Sequence, residues 1–214
     1  MIGCAPNWGP TIERAYQADF ANGANLLTIT GGHTIDALCY CLGEFRELAA
    51  FVVSQRDRIP LEETGELIAK TVPDQVVVNG IVGQGAAVSF QIRGGMNRGT
   101  AFLFEIHGDQ GDLQLTATSR ASMQRQELQV KGARSDAKEL VELPIPVKYR
   151  WVPEGLAPDS RYNVAQLYAR LAESIRDGKP ISPRFDAAVA RHRLLDAIVR
   201  ASETGIKQVI ESIQ

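Results

Sequence analysis

Cysteine, charge imbalance and long apolar runs are all scarce in this chain, and each shortage excludes something. Its 214 residues include three cysteines, Cys4, Cys39 and Cys41, too few for a disulfide framework. Cys39 and Cys41 stand two apart on a helical stretch and so point away from each other. No Cys or His set has metal-ligand spacing, so no metal is expected. The thiols fit buried, inert groups in a reducing, cytoplasmic setting. Lysine and arginine number 23 against 25 acids, a formal net charge of -2, which leaves no electrostatic footprint for nucleic acid. The longest apolar run, near Ile35 to Leu42, is too short and too polar to span a bilayer. Met1 to Pro10 has neither the charged start nor the apolar stretch of a secretory leader. Neither nucleic acid nor a membrane is expected as a partner.

Nucleotide-binding machinery is also missing. Gly83-Gln84-Gly85 has the opening spacing of a dinucleotide fingerprint, but Val88 stands where the third glycine belongs. The residues that follow alternate as a strand, so no helix N-terminus awaits a pyrophosphate. A turn or bulge is expected there. No phosphate-cradling loop occurs elsewhere, and no serine sits in a glycine-flanked elbow. The chain alone is therefore expected to bind no cofactor.

What is present is an ordinary globular composition, 44% hydrophobic and 22% charged, which excludes wholesale disorder and supports one sizeable core. Residues 1–20 form an irregular lead-in broken by Pro6, Gly9 and Pro10. From about Ala24 to Leu42 the apolar residues surround the helix instead of forming one stripe, the mark of a buried helix. Gly43 is placed to stop it. Between about Arg46 and Trp151 the period changes to two. Val88, Phe90 and Ile92 alternate with polar neighbours, as do Phe102, Phe104 and Ile106. Gly108-Asp109-Gln110-Gly111 then turns into Leu113 and Leu115. Helix returns with Val164, Leu167, Tyr168, Leu171 and Ile175 on one face before Gly178, and again with Ala188, Leu195, Ile198 and Val199. The expected fold is a single α+β domain over 1–214, a large, mainly antiparallel open sheet with helices packed on one face. The other face needs a partner or a polar coat. A homodimer through it is expected, with Val77, Phe102 and Leu128 as candidate contacts.

Gly31-Gly32-His33-Thr34-Ile35-Asp36 carries the one suggestion of chemistry. His33, Asp36 and Tyr40 fall on one helix face, so Asp36 is expected to orient the His33 imidazole as in a general acid/base pair. A buried, purely structural His–Asp pair is the competing reading. The two glycines allow a backbone or a ligand close approach. His107, beside a turn, and His192, between Arg191 and Arg193 on a helix face, fit solvated side chains.

The run from Asn22-Gly23-Ala24-Asn25 through Gly32-His33-Thr34-Ile35-Asp36 to Leu42-Gly43-Glu44 resembles the C-terminal domain of the glucose-fructose oxidoreductase/inositol dehydrogenase/MocA family. So do Ile106 to Leu113, Asp186, and Leu195 to Gly205. Within the family the wording is most similar to the branch that includes a fungal galactose-pathway co-repressor. The resemblance implies a substrate-binding and oligomerisation domain of sugar or polyol oxidoreductases, with NAD or NADP held by a separate Rossmann domain absent from these residues. It implies that His33 meets a small sugar-like ligand, with Asp36 beside it and Tyr16, Thr30 and Tyr40 lining the site. The acid that family members commonly place four residues before the histidine is Ile29 here. Three readings follow: a substrate-binding domain inactive alone, one half of a split oxidoreductase with a Rossmann subunit as partner, or a regulatory module.

Overall fold

The computed structural model describes residues 1–5, 9–95, 101–117, 123–153, 155–156, 160–180 and 183–211; the side chains of Cys4, Ala5, Arg125 and Ser160 fall outside the description. The single domain expected from the sequence contains two compact units, Met1–Arg98 with Val189–Gln214, and Gly99–Ala188.

In the first unit the strands are β1 (Ile2–Ala5), β2 (Phe45–Val53), β5 (Gln75–Val82), β6 (Ala86–Gly94) and β11 (Gln208–Val209). They lie in the order β1-β6-β5-β2-β11. Only β1 runs parallel to its neighbour, with Gly3 beside Ile92; β2, β5, β6 and β11 pair antiparallel. The irregular lead-in therefore begins with a strand, a correction to the sequence reading. Ile-Gly-Cys-Ala is too short to show an alternation, and its partner lies nearly ninety residues away. A small hairpin, β3 (Arg58–Pro60) with β4 (Leu67–Ala69), inserts between β2 and β5.

Alternation decides the two faces. Phe45, Leu48, Ala50, Val76, Val78, Val82, Phe90 and Ile92 are buried. They lie on the side taken by α1 (Gly32–Leu42) and α3 (Phe185–Thr204), whose Ile35, Leu38, Leu194, Leu195, Ile198 and Ala201 are buried too. On the opposite side Phe51, Val77 and Gln91 stand in cross-strand register. Phe51 is 69% exposed, so the open face carries an exposed apolar group.

In the second unit β7 (Phe102–Gly108), β8 (Gly111–Ala117), β9 (Leu128–Arg134) and β10 (Val141–Glu142) form an antiparallel meander. The expected Gly108 to Gly111 hairpin joins β7 to β8. Phe102 and Phe104 are buried. Leu128, two residues from the Val130 that shares a register row with Leu115 and Phe104, lies on their face. Phe102, a candidate dimer contact whose face the sequence does not assign, is thus a core residue. The other face is polar, with Glu105, Gln114 and Lys131 in one row. Helix α2 (Ser160–Asp177) belongs to this unit. Its Gln166 accepts from Trp151 N and donates to the Tyr149 carbonyl, and Arg170 stacks on the Trp151 ring.

Candidate functional site

The helix carrying His33 starts on a buried asparagine. Asn25 Oδ1 accepts from Leu27 N and Thr28 N, while Thr28 Oγ1 accepts from Asn25 N and donates to the Gly23 carbonyl. This reciprocal cap satisfies backbone groups that a helix start leaves unpaired, and it explains the Asn-Gly-Ala-Asn wording. Leu27–Gly31 then form a π-helical turn, with Gly31 N donating to the Leu26 carbonyl at 2.8 Å. Such turns insert one residue into the helical phase just before α1, and they occur often at functional positions. At the far end Gly43, with φ 93°, leaves α1. A Cβ on Gly43 would lie 2.8 Å from Gly83 Cα, and one on Gly83 2.0 Å from the Leu42 carbonyl. The Gly83-Gln84-Gly85 motif is therefore the β5–β6 turn packed against the end of α1, as expected, and it opens no helix.

The outward face of this helix presents Ile29, His33, Asp36 and Tyr40, all exposed, Tyr40 at 87%. Gly31 and Gly32 lie on the buried side; a Cβ on Gly32 would meet Leu195 at 3.8 Å. Gly31 is the tighter of the two, since a Cβ there would lie 3.3 Å from the Leu26 carbonyl of the π turn, whereas Gly32 leaves ordinary room beside α3. Thr30 is half-buried, and its carbonyl accepts from Thr34 Oγ1 at 2.7 Å. Tyr16 lies in a separate 3-10 turn, Ile12–Ala18, 52% exposed, with its hydroxyl accepting from Gln17.

Asp36 does not pair with His33. Its Oδ1 accepts from Arg191 Nε at 3.1 Å, and among the described residues no hydrogen bond reaches the His33 ring. Arg191 comes from α3 and is 8% exposed. Nη1 donates to Cys39 Sγ at 2.9 Å and to Glu44 Oε2 at 3.1 Å, and Nη2 to Glu44 Oε1 at 2.9 Å. Burial works against the Arg191 charge. The Glu44 hydrogen bonds lead a set of favourable contacts that offset it, so the guanidinium is held above its ordinary range. Burial likewise pushes the Cys39 thiol up to about 12 despite the neighbouring Arg191 charge. Arg191, placed by the sequence with His192 and Arg193 on an exposed face, is instead the hub between α1 and α3; His192 and Arg193 are exposed. No local pattern announces this, because its partners lie about 150 residues upstream.

Lys70 and Asp74 form an ion pair in which both side chains are buried. Lys70 Nζ donates to Ser54 Oγ, the Val72 carbonyl, Asp74 Oδ2 and the Arg56 carbonyl at 2.6, 2.6, 3.1 and 3.3 Å. The Asp74 carboxylate also accepts from Gln55 N. Nearby, Phe20, Val52, Thr71, Pro73, Val199 and Ser202 line a cleft of about 130 Å³. That is too small for a sugar. His107 Nδ1 lies 2.9 Å from Asp112 Oδ1 on an exposed strand end, a solvated pair with no nucleophile described beside it. No group of three or more metal-ligating side chains occurs among the described residues, nor does any helix long and apolar enough to cross a membrane.

Residues 1–117 match the family model described as Gal80p, C-terminal domain. The chain belongs to that family. Over 118 residues it is 36% identical to the galactose/lactose metabolism regulatory protein GAL80 of Kluyveromyces lactis, covering 50% of this chain and 25% of the relative. The solved super-repressor mutant of Gal80p from Saccharomyces cerevisiae superposes with a TM-score of 0.79 at 21% identity, over 98% of this chain and 57% of that one. Levoglucosan dehydrogenase in complex with NADH and levoglucosan gives 0.78 at 20%, over 99% and 57%. At these identities the likeness is one of fold. The chain spans a quarter of its curated Gal80 relative and little more than half of the similar solved chains. The fold expected from the resemblance is thus shared with levoglucosan dehydrogenase, and the family shown by sequence is that of the Gal80p C-terminal domain. Gly83-Gln84-Gly85 does not form a pyrophosphate cradle, because it is a hairpin turn packed on the end of α1.

Proposed function

We propose that this Gal80p-type domain supplies the ligand-facing wall and the assembly surface of its protein, and that it transfers no hydride by itself. The observation that carries the reading is the Ile29–His33–Tyr40 face. Its histidine is exposed and its neighbouring carboxylate is committed elsewhere, an arrangement suited to hydrogen-bonding a ligand hydroxyl and poorly suited to proton relay. Hydride chemistry belongs to the cofactor, so a dinucleotide-binding Rossmann domain, in the same or another polypeptide, is the partner this face would meet. NAD or NADP would enter with that partner, and a small sugar-like molecule would lie between, against His33, with Thr30, Tyr40 and Tyr16 nearby. Calorimetric titration of this chain with NAD(H) and NADP(H) should give no binding heat. A micromolar dissociation constant for either would refute the reading.

A regulatory role is favoured over an enzymatic one by a specific pair of facts: the 36% identity to a galactose regulatory protein, and Ile29 at the place of an acid. A sensor needs recognition but no acid. Addition of an isolated Rossmann-domain partner with NAD and a sugar should then yield a complex without turnover. Measurable sugar oxidation would favour the split-oxidoreductase reading instead. We also infer a homodimer through the open face of β2, β5 and β6, centred on Phe51 and Val77. The free thiols of Cys39 and Cys41 suit a reducing compartment such as the cytoplasm.

A further inference from the structure

We propose that Arg191 is a positioning residue for the His33 face: it pins α1 to α3 and withholds the Asp36 carboxylate from the imidazole. The inference deepens the reading of that face as a ligand wall, and it begins from an oddity of energetics. The Asp36 and Glu44 side chains are 53% and 59% exposed, while that of Arg191 is 10% exposed. Both acids would be solvated at little cost without the arginine. Only the guanidinium gives up its hydration. Apolar replacement of such a group is commonly neutral or stabilising, so adhesion between the helices is a weak explanation for it. Geometry is a stronger one.

The planar fork reaches three points along α1 and its exit: Asp36 in the second turn, Cys39 in the third, and Glu44 just past Gly43. Contacts spread over that length fix both the rotation of α1 about its axis and its translation along α3, which one apolar contact would leave free. The same contacts decide which partner Asp36 takes. Asp36 is three residues from His33 on one helix face and within side-chain reach of it. Among the described residues around this stretch the ionisable groups are Asp36, Tyr40, the buried Cys39 and the exposed Cys41 on α1, Glu44 beyond its end, and Arg191 from α3. With Arg191 in place, the Asp36 charge is paired away from the ring. Without it, Asp36 is the nearest carboxylate the imidazole can recruit.

The test is the titration of the histidine rings by long-range proton–nitrogen NMR on the full chain. His33, His107 and His192 are its only histidines, so assignment by single substitution is direct. In Arg191→Met the His33 midpoint should rise by about 0.5 to 1 pH unit as Asp36 swings to it, while the His107 and His192 midpoints stay fixed. In Arg191→Met/Asp36→Asn the rise should vanish. In Asp36→Asn alone the His33 midpoint should match the wild type. An unchanged midpoint in folded Arg191→Met overturns the proposal. So does a lowered midpoint in Asp36→Asn, which stays informative even if the arginine variant fails to fold. Either result leaves the dinucleotide titration untouched, so the two ideas fail separately.

Discussion

Ser202, near the end of α3, stands where a neighbouring strand would stand beside β2: its Oγ accepts the Val52 N–H at 2.8 Å and faces the Val52 carbonyl at 3.5 Å. Further along the same edge, Gln208 pairs with Leu48, and Ile210 N donates to the Arg46 carbonyl. One hydroxyl therefore closes the part of the edge that β11 does not reach, in keeping with the need to cover exposed strand edges. Ser202→Ala leaves the Val52 amide without its partner and should cost about 1–2 kcal/mol, read from the urea midpoint. A change within error would mean that water replaces the hydroxyl there.

Lys70 and Asp74 present the opposite case to Arg191, because both members of the pair are buried, with side-chain exposures of 7% and 5%. Removing the cation strands a buried carboxylate. Lys70→Met should therefore destabilise the chain by about 3–5 kcal/mol. Asp74→Asn keeps an oxygen for the Gln55 amide and leaves Lys70 three other acceptors, so its cost should be smaller, about 1–3 kcal/mol. Equal losses in chemical denaturation, or a reversed order, would contradict this assignment.

Much of this architecture could be read in the chain because period-two alternation survives wherever one sheet face is buried. Phe90 and Ile92 on β6 and Phe104 on β7 are buried as their pattern demands, and the glycine-flanked turns at Gly83 and Gly108 lie between paired strands. Contacts set by tertiary distance could not be read. Arg191 resembles its neighbours Arg193 and Arg200 in sequence, and only the approach of α3 to α1 buries it. Asp36 has the spacing of a partner for His33, yet a guanidinium outcompetes an imidazole for its charge. Lys70 and Asp74 have helical i, i+4 spacing but meet across an irregular segment, so the spacing had no meaning until the loop was folded. The π turn before His33 likewise leaves no mark in the residue types.

Gly32 offers a gain in stability. It sits in right-handed helical conformation at the start of α1, with φ -55° and ψ -50°, and a Cβ there would meet Leu195 at an ordinary 3.8 Å. Glycine costs a helix roughly 0.5–1 kcal/mol relative to alanine. Gly32→Ala should therefore stabilise the chain by about that amount in urea unfolding, with the His33 resonance unmoved. Destabilisation would show that α3 packs more tightly on this helix than the described contacts indicate.

Phe51 tests the assembly surface. It projects from β2 on the side away from α1 and α3, next to Val77, and an exposed aromatic ring on the open face of a sheet is a strong candidate for an interface anchor. Phe51→Asp should convert the inferred dimer to monomer in sedimentation velocity without lowering the unfolding midpoint of the monomer. If the unsubstituted chain already sediments as a monomer at high concentration, the inferred dimer is wrong.

Cys39 couples stability to alkaline pH in a direction that can be worked out beforehand. Burial raises its thiol from 9.0 to about 12, so the folded state keeps a proton that the unfolded state gives up. Below about pH 9 both states hold the proton and stability is flat with respect to this group. Between about 9 and 12 the unfolded chain ionises while the folded chain does not. Stability should then fall by about 1.4 kcal/mol per pH unit. Comparing wild type with Cys39→Ala isolates the effect, because lysine and tyrosine titrations are common to both, and the wild-type curve should be the steeper one. The same burial shields the sulfur from chemistry. Iodoacetamide at about pH 8 should label the exposed Cys41 and spare Cys39 until urea unfolds the chain. Parallel pH curves for the two proteins, together with Cys39 labelling in the native state, would mean that the thiol is open to solvent and that the Arg191 fork lacks its third contact.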